Sequence, residues 1–234
     1  KKNTKVYQDQ LANISLEALE KGLKTDSQKL AFWINIYNAY IQVFLLKNPE
    51  LYTNRQAFFD DERILIAGEK RSFSKIEHGI IRKSQWSLGL GYIRKWFPNK
   101  FERKLRVNKP DYRIHFALNC ASMSCPDLRL EPYRAEVLDS QLDDQLKTFM
   151  KQKGKGMQVV GEGKVKLSKI FEWFDEDFAE AGGVASYIQA YLPSSNEPWE
   201  ITGYLDYDWD VTCNLSGSEK RKLRRGRNAT IFRH

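Results

Sequence analysis

A chain of 234 residues, 41% hydrophobic and 13% aromatic, can bury one substantial core, which excludes a disordered protein and makes a single domain the default. No apolar run reaches the ~20 residues that a bilayer span needs, because Leu30 to Leu46 is interrupted by Asn35, Asn38 and Gln42; no transmembrane segment is expected. The net charge of +8 is concentrated at one end: Gly217 to His234 carries seven Lys or Arg against one Glu, +6 of the total, so the rest holds +2 and asks for no specific nucleic acid.

Val6 to Leu23 carries Leu11, Ile14, Leu16 and Leu19 among polar residues, the pattern of a surface helix. Asp26 or Ser27 can cap the next helix, Leu30 to Leu46, which is apolar almost all round and must stop before Pro49. Arg63 to Lys70 reads as a short strand and turn, and Ser74 with Glu77 fits a capping box that opens a helix carrying His78. Pro110 ends a helical stretch, Arg113 to Asn119 alternates as a strand, and Cys120 to Pro132 is a loop. Leu138 to Met150 is helical, Met157 to Leu167 is a hairpin around Gly161-Glu-Gly163, Ser168 caps an amphipathic segment to Phe178, and a last helix runs from about Val184 to Leu192. Tyr204 to Asp210 alternates acids with aromatics and reads as a strand or loop closing over the core. The class is α+β: a helix-rich single domain with a small, mostly antiparallel sheet. Residues 1–29 form a helical lead-in, 30–214 the domain, and 215–234 a basic tail that can contact anionic surfaces.

Chemistry concentrates between Asp111 and Pro126, which holds two of the three cysteines and one of the three histidines. Three cysteines, Cys120, Cys125 and Cys213, do not make a disulfide framework. A thiol becomes a nucleophile once a neighbouring imidazole or backbone N–H groups stabilise its thiolate. On a regular strand His115 and Cys120 point to opposite faces, so the expected pair is Cys120 as nucleophile with His78 as base, oriented by Glu77, Asn35 or Asn38. Such a division of labour is papain-like. The small residues Ala121 to Ser124 let backbone N–H groups approach a substrate oxyanion. The amide stripe Asn35, Asn38 and Gln42 lies on one helix face; its side chains either pair with loop backbone or line a polar pocket walled by Trp33 and Tyr37. His115, Asn119 and Cys125 complete the candidate substrate-binding set.

Cys120, Cys125, His78 and His115 are also the residue types of a Cys₂His₂ zinc shell, although the two histidines lack local ligand spacing. No phosphate-cradling glycine loop, dinucleotide fingerprint or metalloprotease helix is present, and no cofactor is expected.

Taken in order, Ala31-Phe-Trp-Ile-Asn-Ile-Tyr-Asn38, Ile76-Glu-His-Gly-Ile-Ile-Arg82, Arg113 to Pro126, Leu167 to Phe174 and Tyr207-Asp-Trp209 resemble the family called domain of unknown function 547, over about Leu30 to Asn214. The resemblance implies that Asn35, Asn38, Glu77, His78, His115, Asn119, Cys120 and Cys125 fall at its recurring polar positions. Its pattern has glycine where this chain has Ala121, and its closing block differs from Asp210 to Asn214, which leaves Cys213 outside the candidate site. Bacterial relatives are often exported and plant relatives carry the domain after a coiled coil. The chain opens on Lys1, so the compartment stays open, with an exported protein whose signal has been removed as one expectation.

The expectation is therefore a thiol-dependent hydrolase or acyl-transferase acting on an amide or ester in a small molecule or peptide. Two alternatives use the same residues: a non-catalytic binding module with a buried Asn/His/Cys network, and a zinc-stabilised domain.

Overall fold

The computed structural model describes residues 4–85, 97–194 and 198–211. Helices α1 (Lys5–Asn13) and α2 (Leu16–Gly22) replace the single expected surface helix, because Ser15 breaks the run by turning its hydroxyl to the Ala18 N–H as a new N-cap. Helix α3 (Asp26–Lys47) is the central one. Its cap is Thr25, through a capping box with Gln28, and not Asp26 or Ser27. The Asp26 carboxylate instead accepts the Asn108 and Lys109 N–H groups, which ties a distant loop to the helix start. Trp33, Ile34, Ile41 and Leu45 on α3 are fully enclosed.

After α4 (Arg55–Asp60), strands β1 (Ile64–Ile66) and β2 (Glu69–Arg71) form an antiparallel hairpin whose turn hydrogen-bonds α1. The helix that follows, Lys75–Ile81, is a π-helix: Arg82 N–H reaches Glu77 O, and Ser84 N–H reaches Gly79 O, five residues back. The expected Ser74–Glu77 capping box is absent. Ser74 Oγ goes to Asp60 and Ser72 Oγ accepts the Lys75 N–H, which leaves the Glu77 carboxyl to face inward.

Helix α5 (Lys100–Leu105) leads to the segment expected as a strand. It is a 3₁₀ turn, Tyr112–Phe116, capped by Asp111. The alternation of Ile114, Phe116 and Leu118 does not mark an exposed and a buried face, because every residue from Ile114 to Asn119 is buried. Its side chains serve two cores instead. Ile114, Ala117 and Leu118 join the cluster around α3, while Phe116 joins a second cluster built by α6 (Leu138–Lys151), β4 (Lys164–Leu167) and α7 (Lys169–Trp173). Strand β4 pairs antiparallel with β3 (Met157–Gly161) and parallel with β5 (Glu200–Tyr204), the connection carrying α7 and α8 (Gly183–Ile188). The result is the α+β single domain that the sequence predicts. The basic tail and Cys213 lie outside the described residues.

Candidate functional site around Cys120

Cys120 ends the chain's passage through the core, in a loop held from three directions. Asn38 Nδ2 donates to Ala117 O and its Oδ1 accepts the Asn119 N–H. Asn119 donates to Pro126 O and accepts the Ala121 N–H, closing the loop on itself. Tyr52 OH donates to Cys120 O at 2.7 Å. From the far end of the chain, Asp208 O and Asp210 O accept the N–H groups of Ser124 and Met123. Ala121 sits at φ 66°, the left-handed region where the family pattern has glycine. The Ala121, Met123 and Ser124 N–H groups are thus engaged inside the fold, whereas the Ser122 N–H is directed to the Cys120 sulfur.

Side chains surround the sulfur as well. Cys120 Sγ lies 2.8 Å from Cys125 Sγ, 3.2 Å from Ser122 Oγ and 3.3 Å from Tyr207 OH, and the two hydroxyls are 3.0 Å apart. Both thiols are free, Cys120 half-buried and Cys125 buried. Burial alone would push the Cys120 thiol up; the hydrogen bonds from Cys125, Ser122 and Tyr207 outweigh it and bring it down to about 6. Cys125 moves the other way, raised by burial and by its neighbour's charge. Trp173 and Trp209 pack against Tyr207 and fix its ring.

Behind the sulfur lies a charged network. Glu77 is raised to about 7 by burial, against the pull of Arg82 and with a push from Cys120, and Tyr37 OH donates to it at 3.4 Å. Arg82 forms a buried bidentate pair with Asp177 and donates from Nη1 to His78 Nδ1 at 2.9 Å. Since a guanidinium can only donate, neutral His78 carries its proton on Nε2. His115 Nε2 bonds Asp177 Oδ2 at 2.6 Å, and its ring stacks on Phe174 at 3.8 Å. Burial lowers the His115 pKa despite that carboxylate, while Asp177 is held well below the usual carboxylate range by His115 and Arg82 against its own desolvation.

The remaining candidates are placed as follows. Asn35 exchanges two hydrogen bonds with the Tyr133 backbone, at 2.8 and 2.9 Å. Trp33 is fully enclosed against Phe32 and Phe101, and Tyr37 is buried beside Phe73. Cys120, Cys125, Glu77 and Tyr37 therefore share one electrostatic environment, while Asn35, Asn38 and Asn119 bind loop backbone. Four partners escaped the sequence reading: Ser122, Tyr207, Arg82 and Asp177. Arg82 lies one helical turn beyond His78, a charge directly after the apolar Ile80-Ile81, and was open to the sequence reading; Asp177 is one of three consecutive acids, Asp175 to Asp177, and nothing in the sequence singles it out. Among the described residues no group of three or more His, Cys, Asp or Glu side chains is arranged to hold a metal ion. His78 and His115 are turned to Arg82 and Asp177.

Fold and site together define an α+β domain with a thiol pair set against a buried charged network. A family profile described as "Protein of unknown function, DUF547" matches residues 21–150, and the chain belongs to that family. No curated protein and no solved structure matches the chain.

Proposed function

We propose that the protein is a thiol-dependent hydrolase or acyl-transferase acting on an amide or ester, with Cys120 as the nucleophile. The observation that carries this reading is the sulfur's environment, in which two hydroxyls and a second thiol stabilise the anion at a half-buried position. Attack on a carbonyl moves negative charge from sulfur to oxygen. Ser122 and Tyr207 hydroxyls that solvate the thiolate can then follow the charge to the tetrahedral oxyanion. Glu77, raised to about 7, is the group poised to take up and return a proton near neutrality. His78, the base expected from the sequence, contributes in this scheme an Nε2–H donor oriented by Arg82.

A second reading, a non-catalytic binding module, draws support from Asn35, Asn38 and Asn119, whose amides bond loop backbone. Acylation separates the two. Incubated with p-nitrophenyl acetate at pH 7, the reduced protein is expected to release a burst of nitrophenol and carry one acetyl group on Cys120, with neither seen in Cys120→Ser. Acetylation of the folded protein no faster than of the urea-unfolded chain would leave the binding module.

A further inference from the structure

We infer that Cys120 and Cys125 are a peroxide-reactive pair: a hydroperoxide oxidises Cys120, and Cys125 closes the product into a disulfide. This goes beyond acyl chemistry and does not require it. Two-cysteine peroxide chemistry needs one reachable sulfur, a second thiol already within reach of it, and a frame that keeps them together. Cys120 is half-buried, whereas Cys125 is 4% exposed, so a solute meets Cys120 first. The sulfurs lie 2.8 Å apart; a disulfide bond is about 2.0 Å, so roughly 0.8 Å of approach completes it. The frame is the short loop braced by Asn119 across its base, with the Cys125 N–H on Ser122 O and Lys155 Nζ on Cys125 O. Closing so short a loop costs little further chain entropy, because the folded protein has already closed it.

The two sulfurs also differ in the required direction. Cys120 is the more acidic, and Cys125, raised by burial and by the charge beside it, keeps its proton until it is needed. In the first step the Cys120 thiolate attacks the terminal oxygen of the hydroperoxide; an S–O bond forms and the O–O bond breaks. The departing alkoxide takes a proton from the Ser122–Tyr207 hydroxyl pair, which is restored from water. In the second step Cys125 loses its proton and attacks the Cys120 sulfur; the S–O bond breaks and hydroxide leaves with that proton as water. Two thiols are oxidised by two electrons, the hydroperoxide is reduced to an alcohol and water, and a dithiol reductant returns the pair.

The test uses the full chain with Cys213→Ser, so that no third thiol can exchange. Reduced protein is treated with one equivalent of hydrogen peroxide at pH 7, blocked with N-ethylmaleimide and mapped on the tryptic peptide Ile114 to Arg129, which bears both cysteines. The expected product is that peptide two hydrogens lighter and unblocked, formed about tenfold or more faster than in the urea-unfolded chain, as a preformed thiolate demands. In Cys125→Ser the same peptide carries a dimedone-trapped sulfenic acid on Cys120, and in Cys120→Ser the fast phase is lost. Dimedone adducts accumulating with Cys125 intact, a fast phase surviving in Cys120→Ser, or a rate equal to the unfolded chain's would overturn the pair. Acetylation of the reduced protein is read separately, so either activity can fail alone.

Discussion

A thiol ionises readily only where its anion is better solvated than its acid, and at Cys120 that solvation comes from a second sulfur, two hydroxyls and the Ser122 backbone N–H. Alkylation by iodoacetamide, followed by mass spectrometry on Cys120, should therefore run near its plateau at pH 7 and fall to half near pH 6. Replacing Tyr207 by Phe removes one donor to a charged acceptor. The midpoint should rise by about one pH unit, or ~1.4 kcal/mol, the size of a modest charge-assisted hydrogen bond. An unchanged profile in Tyr207→Phe would mean that its hydroxyl does not hold the anion. The sequence made Cys120, Cys125 and Glu77 visible through residue type and position. Ser122 was hidden in a run of small residues, and Tyr207 approaches from 87 positions away along the chain, a distance no local pattern spans. Asn35 and Asn38 were legible in a different sense: amides on an apolar helix must find partners, and theirs are the backbone at Tyr133, Ala117 and Asn119.

Elements with a strong local signal were readable: α3 through its nearly continuous apolar run, the β3–β4 hairpin through its Gly161-Glu-Gly163 turn and α6 through its one buried face. The Tyr112–Phe116 turn was not, because burial on both sides imitates the alternation of a strand. The π-helix was equally opaque. Its wider hydrogen-bond ring leaves no mark on apolar spacing over seven residues, yet it carries Glu77 to Tyr37 and sets His78 against Arg82, whose charge also acts on Glu77. Between α6 and β3 the chain turns so tightly that a Cβ on Gly156 would stand 2.2 Å from Phe149 O and 2.6 Å from Met150 Cα. Backbone cannot swing aside as a side chain can. Gly156→Ala should accordingly cost about 1–3 kcal/mol or more, seen as a lower urea midpoint with an unchanged slope; stability within ~0.5 kcal/mol of the parent would contradict the close approach.

Two hydrophobic clusters meet at the turn before Cys120, so the site's charges are enclosed by the packing that stabilises the domain. Their titration must then appear in the stability of the entire fold. Glu77 in the folded protein holds its proton to about pH 7, whereas its ordinary value is 4.5. Its stabilising contribution is complete below about 4.5 and is lost as pH rises through 7. His115, lowered by burial, acts in the opposite sense: the unfolded chain takes up a proton below about pH 6.5 that the folded imidazole resists. Glu77→Gln, which mimics the protonated carboxyl, should raise the Tm at pH 8 and change it little at pH 4.5. Equal effects at both values would show that Glu77 is not the titrating group.

The closing segment has a temporal consequence. Tyr207, which donates to the sulfur, and Asp208 and Asp210, which brace its loop, all follow Cys120 by more than eighty positions. During synthesis on the ribosome Cys120 leaves the exit tunnel well before them. The nascent chain thus carries an ordinary cysteine, mostly protonated, and acquires its acidic sulfur only when Tyr207 docks. The acidity of the sulfur thus arrives only after the residues that enclose it have been made.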